Sequence, residues 1–513
     1  MSEPVTGAPV VGRRQVLQVA GAAAVVATGR TALAAPAPAP AGVARAKGLP
    51  LSRDPALHVA RRLTFGPTPK LLARIRELGM SRWVEEQLDP DSIDDRTTDL
   101  YAAVPSVGDA PHVPFVRFDL GSLEAARSRT VIRQLFSEKQ LYEVMVEFWA
   151  NHFSIYGNHV LAGSYRNEDD LTVARPHALG SFRAMLHASA RSPSMLFYLD
   201  QWLSDGKNPN ENYARELLEL HTLGVDGGYS EKDMSQAALA LTGWTVDTGR
   251  GTFLYRPQSH YVGPLRVLGW RSANSTPQGG LEVGASLLDY LARHASTARF
   301  VATKLCRRFV SDRPPASLVA STAKVYLASD TAIKPVLRHI FASRAFRDSV
   351  GLKYRRPMEL VGYSVRALGF EPRPQLAYDK ARTLNNHLET LGQAPFNWPP
   401  PDGYPDVAED WLSTAANLAR WNFLQQLSRG QIGGLGAPDY AALVGTPAPA
   451  TAGDLVDRLV SRLTFQQVAA AHRAALLRYL ELSAEAKVDA NAVRTHAPAL
   501  AALILSSPYV GVR

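Results

Sequence analysis

Apolar residues recur every three or four positions along nearly all of this chain, and two-residue alternation is scarce. Such a sequence buries its apolar surface by packing helices against one another. Residues 68–88, TPKLLARIRELGMSRWVEEQL, open on a Thr-Pro start signal and keep Leu71, Leu72, Ile75, Leu78 and Trp83 on one side. Residues 123–153 form a long periodic run ending in FWANHF. The same period marks 177–190, 194–203, 210–223, 230–243, 282–293, 296–311, 316–328, 331–343, 355–369, 382–391, 409–428, 453–463, 466–482 and 490–506. The best strand pattern, GTFLYRPQSHYVGPLRVLG at 251–269, predicts one hairpin among the helices. The expected fold is mainly α and multi-helical across 50–513, with a Gly/Ser/Pro-containing break at 271–280 where it could divide. Hydrophobic residues make up 46% of the 513, ample for a large core. The single cysteine, Cys306, excludes an internal disulfide and any Cys-rich zinc site. It lies among Val301, Leu305 and Phe309 at helical spacing, which predicts a buried thiol.

The start of the chain has a separate logic. Residues 11–35, VGRRQVLQVAGAAAVVATGRTALAA, place Arg13 and Arg14 before a weakly apolar Ala/Val stretch and the small residues Ala32-Leu33-Ala34. That order predicts a twin-arginine signal peptide over 1–35, cut near Ala34, and a folded protein exported to the periplasm, the cell wall or the medium. Gly21, Thr28, Gly29 and Arg30 interrupt the stretch, so it makes a poor permanent anchor, and no other segment reaches spanning length. Residues 36–49 read as an extended Pro/Ala-rich linker. The formal net charge of +9 falls to +7 without residues 1–35. The positive bias suits an anionic envelope polymer, but the basic residues are scattered and no nucleic-acid motif is present.

Four segments can carry chemistry. In YEVMVEFWANHFSIYGNH (142–159), His152 continues the stripe of Leu141, Met145 and Phe148, and a buried imidazole needs a hydrogen-bond partner or a metal. In NPNENYARELLELHTLG (208–224), Asn208 or Asn210 caps a helix that Gly224 ends. Asn212, Arg215, Glu216 and Glu219 then share one face, with Glu211 beside Arg215. Two carboxylates one turn apart can bind a cation or act as acid and base; Arg215 can equally neutralise them in a salt-bridge network. The third segment, RPQSHYVGPLRVLG, carries His260 near a turn. The fourth, LGQAPFNWPPPDGYP (391–405), sets Phe396, Trp398 and Tyr404 on a proline-stiffened loop suited to a sugar ring or a peptide, or to docking on the core.

These segments, with HVARRLTFGPTP (58–69), YSEKDMSQAALALTGW (229–244), ARFVATKLCRRFVSDRPP (298–315) and KYRRPMELVGYSVRALG (353–369), resemble the bacterial family DUF1800 in order over about 55–430. The most specific pair is NENYAREL with the following LTGW. The resemblance brings no established reaction. It implies an exported helical protein, often encoded beside the exported family DUF1501, which resembles sulfatase and alkaline-phosphatase folds. Matched positions include His152, Glu211, Asn212, Arg215, Glu216 and Glu219. The chain departs from the family's His-Asp-x-Gly-x-Lys-x-x-Leu-Gly pattern at Tyr261 and Leu265, and again in PPPDGYP.

Three readings follow. The first is an extracytoplasmic enzyme acting on an envelope or extracellular polymer, with His152, Arg215, Glu216 and Glu219 as catalytic groups and Glu211, Asn212, His260 and Trp398 contacting ligand. The second is a non-catalytic assembly partner of a DUF1501-like protein. The third is a carrier of a divalent metal or non-covalent haem, with His152 as ligand. The sequence has no nucleotide loop, Ser-elbow or His-Glu-x-x-His motif.

Overall fold

Helices carry most of residues 49–102, 121–372 and 378–513, the parts of the chain described in the computed structural model. The fold is mainly α. Arg13, Arg14, Ala34 and nearly all of the linker lie outside the described residues. Among the described residues no helix is long and apolar enough to cross a membrane.

Two long periodic runs are each divided. Gly79, at φ +76°, separates Pro69–Leu78 from Met80–Leu88. The 123–153 run divides into Gly121–Phe136 and Gln140–His152. Here side chains take over main-chain partners: Asp95 accepts from the Glu138 N–H, Ser137 Oγ from the Lys139 N–H, and Gln87 from the Leu141 N–H.

The single hairpin expected over 251–269 is replaced by two. Strand β1 (Trp244–Asp247) pairs antiparallel with β2 (Thr252–Tyr255), and β3 (Leu265–Val267) with β4 (Trp270–Ser272). The 251–269 segment supplies the second strand of one hairpin and the first of the next, with His260 in the connection. Residues 273–279 then lead from β4 into helix Gly280–Ala292.

The stretch 160–177 is helical although its period is weak, because its inward face is charged. Asp170 accepts from Arg129 and Arg175, each at 2.8 Å, and Glu143 takes Arg175 at 2.9 Å. Such a buried set is tolerated when every charge has a counter-charge.

A second buried ionic cluster holds together the elements that matter most below. Glu359 accepts from Arg308, Arg356 and Arg513. Glu147 takes Arg308 at 3.3 Å and Arg356 at 3.0 Å, and Lys353 bridges Asp312 and Asp406. Glu147 belongs to helix Gln140–His152, Arg308 to helix Ala295–Phe309, and Asp406 to the end of the proline-rich loop. The cluster therefore sets three elements in one register. Cys306, on the second of these helices, is fully buried, with its thiol near Thr322 and pushed up to about 11 by burial.

Candidate functional site

His152 ends its helix with 1% of its surface exposed, among the rings of Trp149, Phe153, Phe182 and Phe300. Its Nε2 lies 3.0 Å from the His221 carbonyl and its Nδ1 lies 3.0 Å from Lys304 Nζ. A carbonyl only accepts, so Nε2 carries the proton and Nδ1 offers a lone pair to the lysine. Burial first, then the charges of Lys304 and His221, hold this imidazole neutral far below its ordinary range.

The His221 carbonyl reaches this position through an irregular turn. Asn210 caps helix Glu211–Glu216 by accepting from the Tyr213 N–H, and the chain then widens into a π-helical turn at Leu217–Thr222. Such turns insert a residue and re-aim the side chains around them. His221 is 1% exposed, its Nε2 has no partner, and burial followed by the Lys304 charge pushes it down to about 3. Gly224, at φ +83°, closes the segment; a Cβ there would stand 2.9 Å from the Phe300 ring.

Lys304 comes from helix Ala295–Phe309. Its amine sits 5.4 Å from the Phe300 ring centroid and 3.0 Å from His152, and it forms no ion pair among the described residues. Burial and the nearby Arg307 push it down to about 8, against the opposing pull of Asp402 and Asp406. Lys304 was not singled out from sequence. The available signal was its place one turn after Phe300 and Val301, on the apolar side of its helix.

Asp402 arrives on the proline-rich loop, which is pinned from beneath. Asn151, beside His152, donates to the Tyr404 carbonyl and accepts from its N–H. Gly403 has φ +78°, and a Cβ there would stand 2.2 Å from the Asn151 carbonyl oxygen, so only glycine fits. Trp398 Nε1 donates to Asp402 at 2.8 Å, and the Tyr198 hydroxyl to the Pro399 carbonyl at 2.6 Å. Asp402 stands close enough to Lys304, Glu216 and Tyr198 for its charge to act on all three. Burial, then Glu219 and Asp402, raises the Glu216 carboxyl above its ordinary value.

A family model described as a protein of unknown function, DUF1800, matches residues 58–510. The chain belongs to the DUF1800 family. No curated protein and no solved structure matches it.

In this DUF1800 chain the expected polar face is divided. Arg215 pairs with Glu219 at 3.6 Å and Glu231 at 3.3 Å, Glu211 accepts from the Ser235 hydroxyl, and Asn212 is exposed. Of that set, Glu216 is the one whose charge is tied to Asp402 and Tyr198. His152 meets this helix through the main chain of His221 rather than through the carboxylates. His260 is a brace in another part of the fold: its nitrogens face the Thr242 carbonyl at 2.9 Å and Asn274 Oδ1 at 2.8 Å, with Gly280 packed on its ring. Among the described residues no three His, Cys, Asp or Glu side chains are grouped to hold a metal ion. Both His152 nitrogens are already engaged, so service as a metal or haem ligand would break one of its two hydrogen bonds.

Proposed function

We propose that this DUF1800 chain is an extracytoplasmic acid–base enzyme whose base is the Lys304 amine and whose acid is the Glu216 carboxyl. The contact between Lys304 and a neutral imidazole carries the reading. A buried lysine kept only for stability pairs with a carboxylate, as Lys353 does with Asp312 and Asp406. The partner of Lys304 accepts a hydrogen bond and brings no negative charge, so burial favours loss of the proton. Lys304 is moved down and Glu216 up, towards each other, the pattern that lets two groups exchange protons near neutral pH. His152 is then a positioning residue. The twin-arginine segment supports work outside the inner membrane on an envelope or extracellular polymer. Release of soluble fragments from purified envelope and extracellular polymers tests the reading. Wild type should release them, and Lys304→Met and Glu216→Gln should not, although both still melt cooperatively and Lys304→Met melts no lower than wild type. No release by wild type from any of these polymers would overturn it.

A second reading, assembly with a DUF1501-like exported protein, draws on Leu412, Leu418 and Trp421. They are 48%, 55% and 57% exposed around helix Thr414–Ser428. Co-purification with such a protein, lost in Trp421→Glu, would support it.

A further inference from the structure

A cleft of about 560 Å³ opens among the end of helix Thr414–Ser428, the short helix Tyr440–Val444 and the first turns of helix Ala490–Leu505. That is the size of a site for a small molecule, roughly 300–1,000 Å³. Hydrogen bonds hold its walls apart. The Tyr440 hydroxyl donates to the Ser428 carbonyl at 2.6 Å, and Arg458 donates to the Val444 carbonyl at 3.0 Å. Pro438, Val444 and Val493 are buried beneath it, while Ala437, Ala441 and Ala490 line it and remain exposed. The lining is therefore an apolar surface that no part of the described chain covers.

The charges on the cleft select the occupant. Arg429 and Arg494 both line it and both are exposed. The neighbouring Arg458 and Arg473 are each held by a carboxylate, Asp454 and Asp457. Among the described residues neither Arg429 nor Arg494 has such a partner; Arg494 reaches only Asn491 Oδ1, at 3.4 Å. One carboxylate, Asp439, also lines the cleft, and its Oδ1 accepts from the Ala442 N–H at 3.0 Å. Two free guanidiniums thus face one carboxylate already engaged with main chain. A cation would be repelled by the arginines, and a neutral hydrocarbon would leave them unused. A molecule with an apolar body and one anionic head uses both features, since a guanidinium binds a carboxylate through parallel N–H donors.

We infer that this cleft binds a medium-chain carboxylate, with the hydrocarbon on Pro438, Val444 and Val493 and the head group at Arg429 and Arg494. The inference stands on the cleft alone and is independent of the role given to Lys304. Calorimetric titration of the full chain with octanoate, below the concentration at which it forms micelles, tests it. Octanol and octyltrimethylammonium serve as the neutral and cationic comparators. Octanoate should bind at one molecule per chain, more tightly than octanol, and the cation should not bind. Arg429→Gln and Arg494→Gln should each weaken octanoate about fivefold and leave octanol unchanged. Ala441→Trp fills the cleft from an exposed position and should abolish binding of both. All three substitutions lie at exposed positions, and melting curves confirm that the variants fold. Lys304→Met should bind octanoate as wild type does, so failure of the enzymatic reading leaves this result standing. No binding of octanoate, equal affinity for octanol, preference for the cation, binding unchanged in both arginine variants, or binding kept in Ala441→Trp would each overturn it.

Discussion

Lys304 Nζ and His152 Nδ1 stand 3.0 Å apart, and the acceptor in that contact is uncharged. The consequences of this pairing can be measured without knowing a substrate.

Lys304→Met should stabilise the protein near neutral pH. The folded amine lies at about 8, below its ordinary 10.5, so the unfolded chain binds more protons in between. The cost of burying the charge is therefore fully present below pH 8 and fades as pH rises towards 10.5. Relief of about 3 kcal/mol, less about 1 kcal/mol for leaving His152 Nδ1 unpaired, gives a net gain of about 2 kcal/mol at pH 7. Melting curves of both proteins from pH 7 to pH 10 check the size and the decline. A gain that grows with pH contradicts the assignment.

His152→Asn keeps an acceptor towards Lys304 and deletes the donor to the His221 carbonyl. The lysine should keep its low pKa, read from the pH dependence of its acylation by mass spectrometry. Stability should fall by about 2 kcal/mol, from the orphaned carbonyl and the space left among four aromatic rings.

Gly403→Ala should displace the loop. The new methyl would meet the Asn151 carbonyl oxygen in a backbone conformation that alanine disfavours. A loss of about 2 kcal/mol is expected, together with a changed Trp398 fluorescence as its bond to Asp402 is disturbed.

Glu359→Gln removes the negative charge shared by Arg308, Arg356 and Arg513 and should cost about 4 kcal/mol in urea unfolding. Burial alone would raise the Glu359 carboxyl, but the three arginines outweigh it and hold the carboxyl well below 4.5. Its contribution is complete above the unfolded value and is lost as pH falls through the folded one. The variant should therefore lose less stability than wild type on acidification below about pH 4.5.

Replacing Arg13 and Arg14 together with lysine should leave the precursor in the cytoplasm, read by fractionation. Unchanged export would remove the twin-arginine assignment.

Helices such as Ala452–Thr464 and Ala490–Leu505, whose apolar stripe faces the core, were readable from sequence, but Pro55–Leu63, which buries His58, Arg61 and Arg62 beside its apolar residues, was not read as one. They were not readable at 160–177, where Arg175 and Asp170 face inward and the stripe is ionic. The same limit hid the site. His152 could be picked out because a histidine interrupts an apolar stripe. His221 could not, because a regular helix would aim it differently and the π-turn depends on the packing around it. Lys304 reads as one more cation in a basic helix until the fold sets it against an imidazole. Spacing puts the five polar residues of 211–219 on one face, whereas the fold divides them among separate partners. Spacing does not tell which of them meets Ser235 or Glu231 and which meets the loop.

The proline-rich loop is fastened at Tyr404 by Asn151 and at Asp406 by Lys353. A ligand arriving there meets a finished receptor. Tyr404 and Asp406 of this loop are already fixed to the core, so a ligand bound by the loop would divert no binding energy into fixing them. Recognition should follow single-step kinetics, with affinities among related ligands separated by how fast they leave. A surface of this kind tolerates little variation in shape, because meeting a different ligand would mean breaking the hydrogen bonds of Asn151 or Lys353 to the loop.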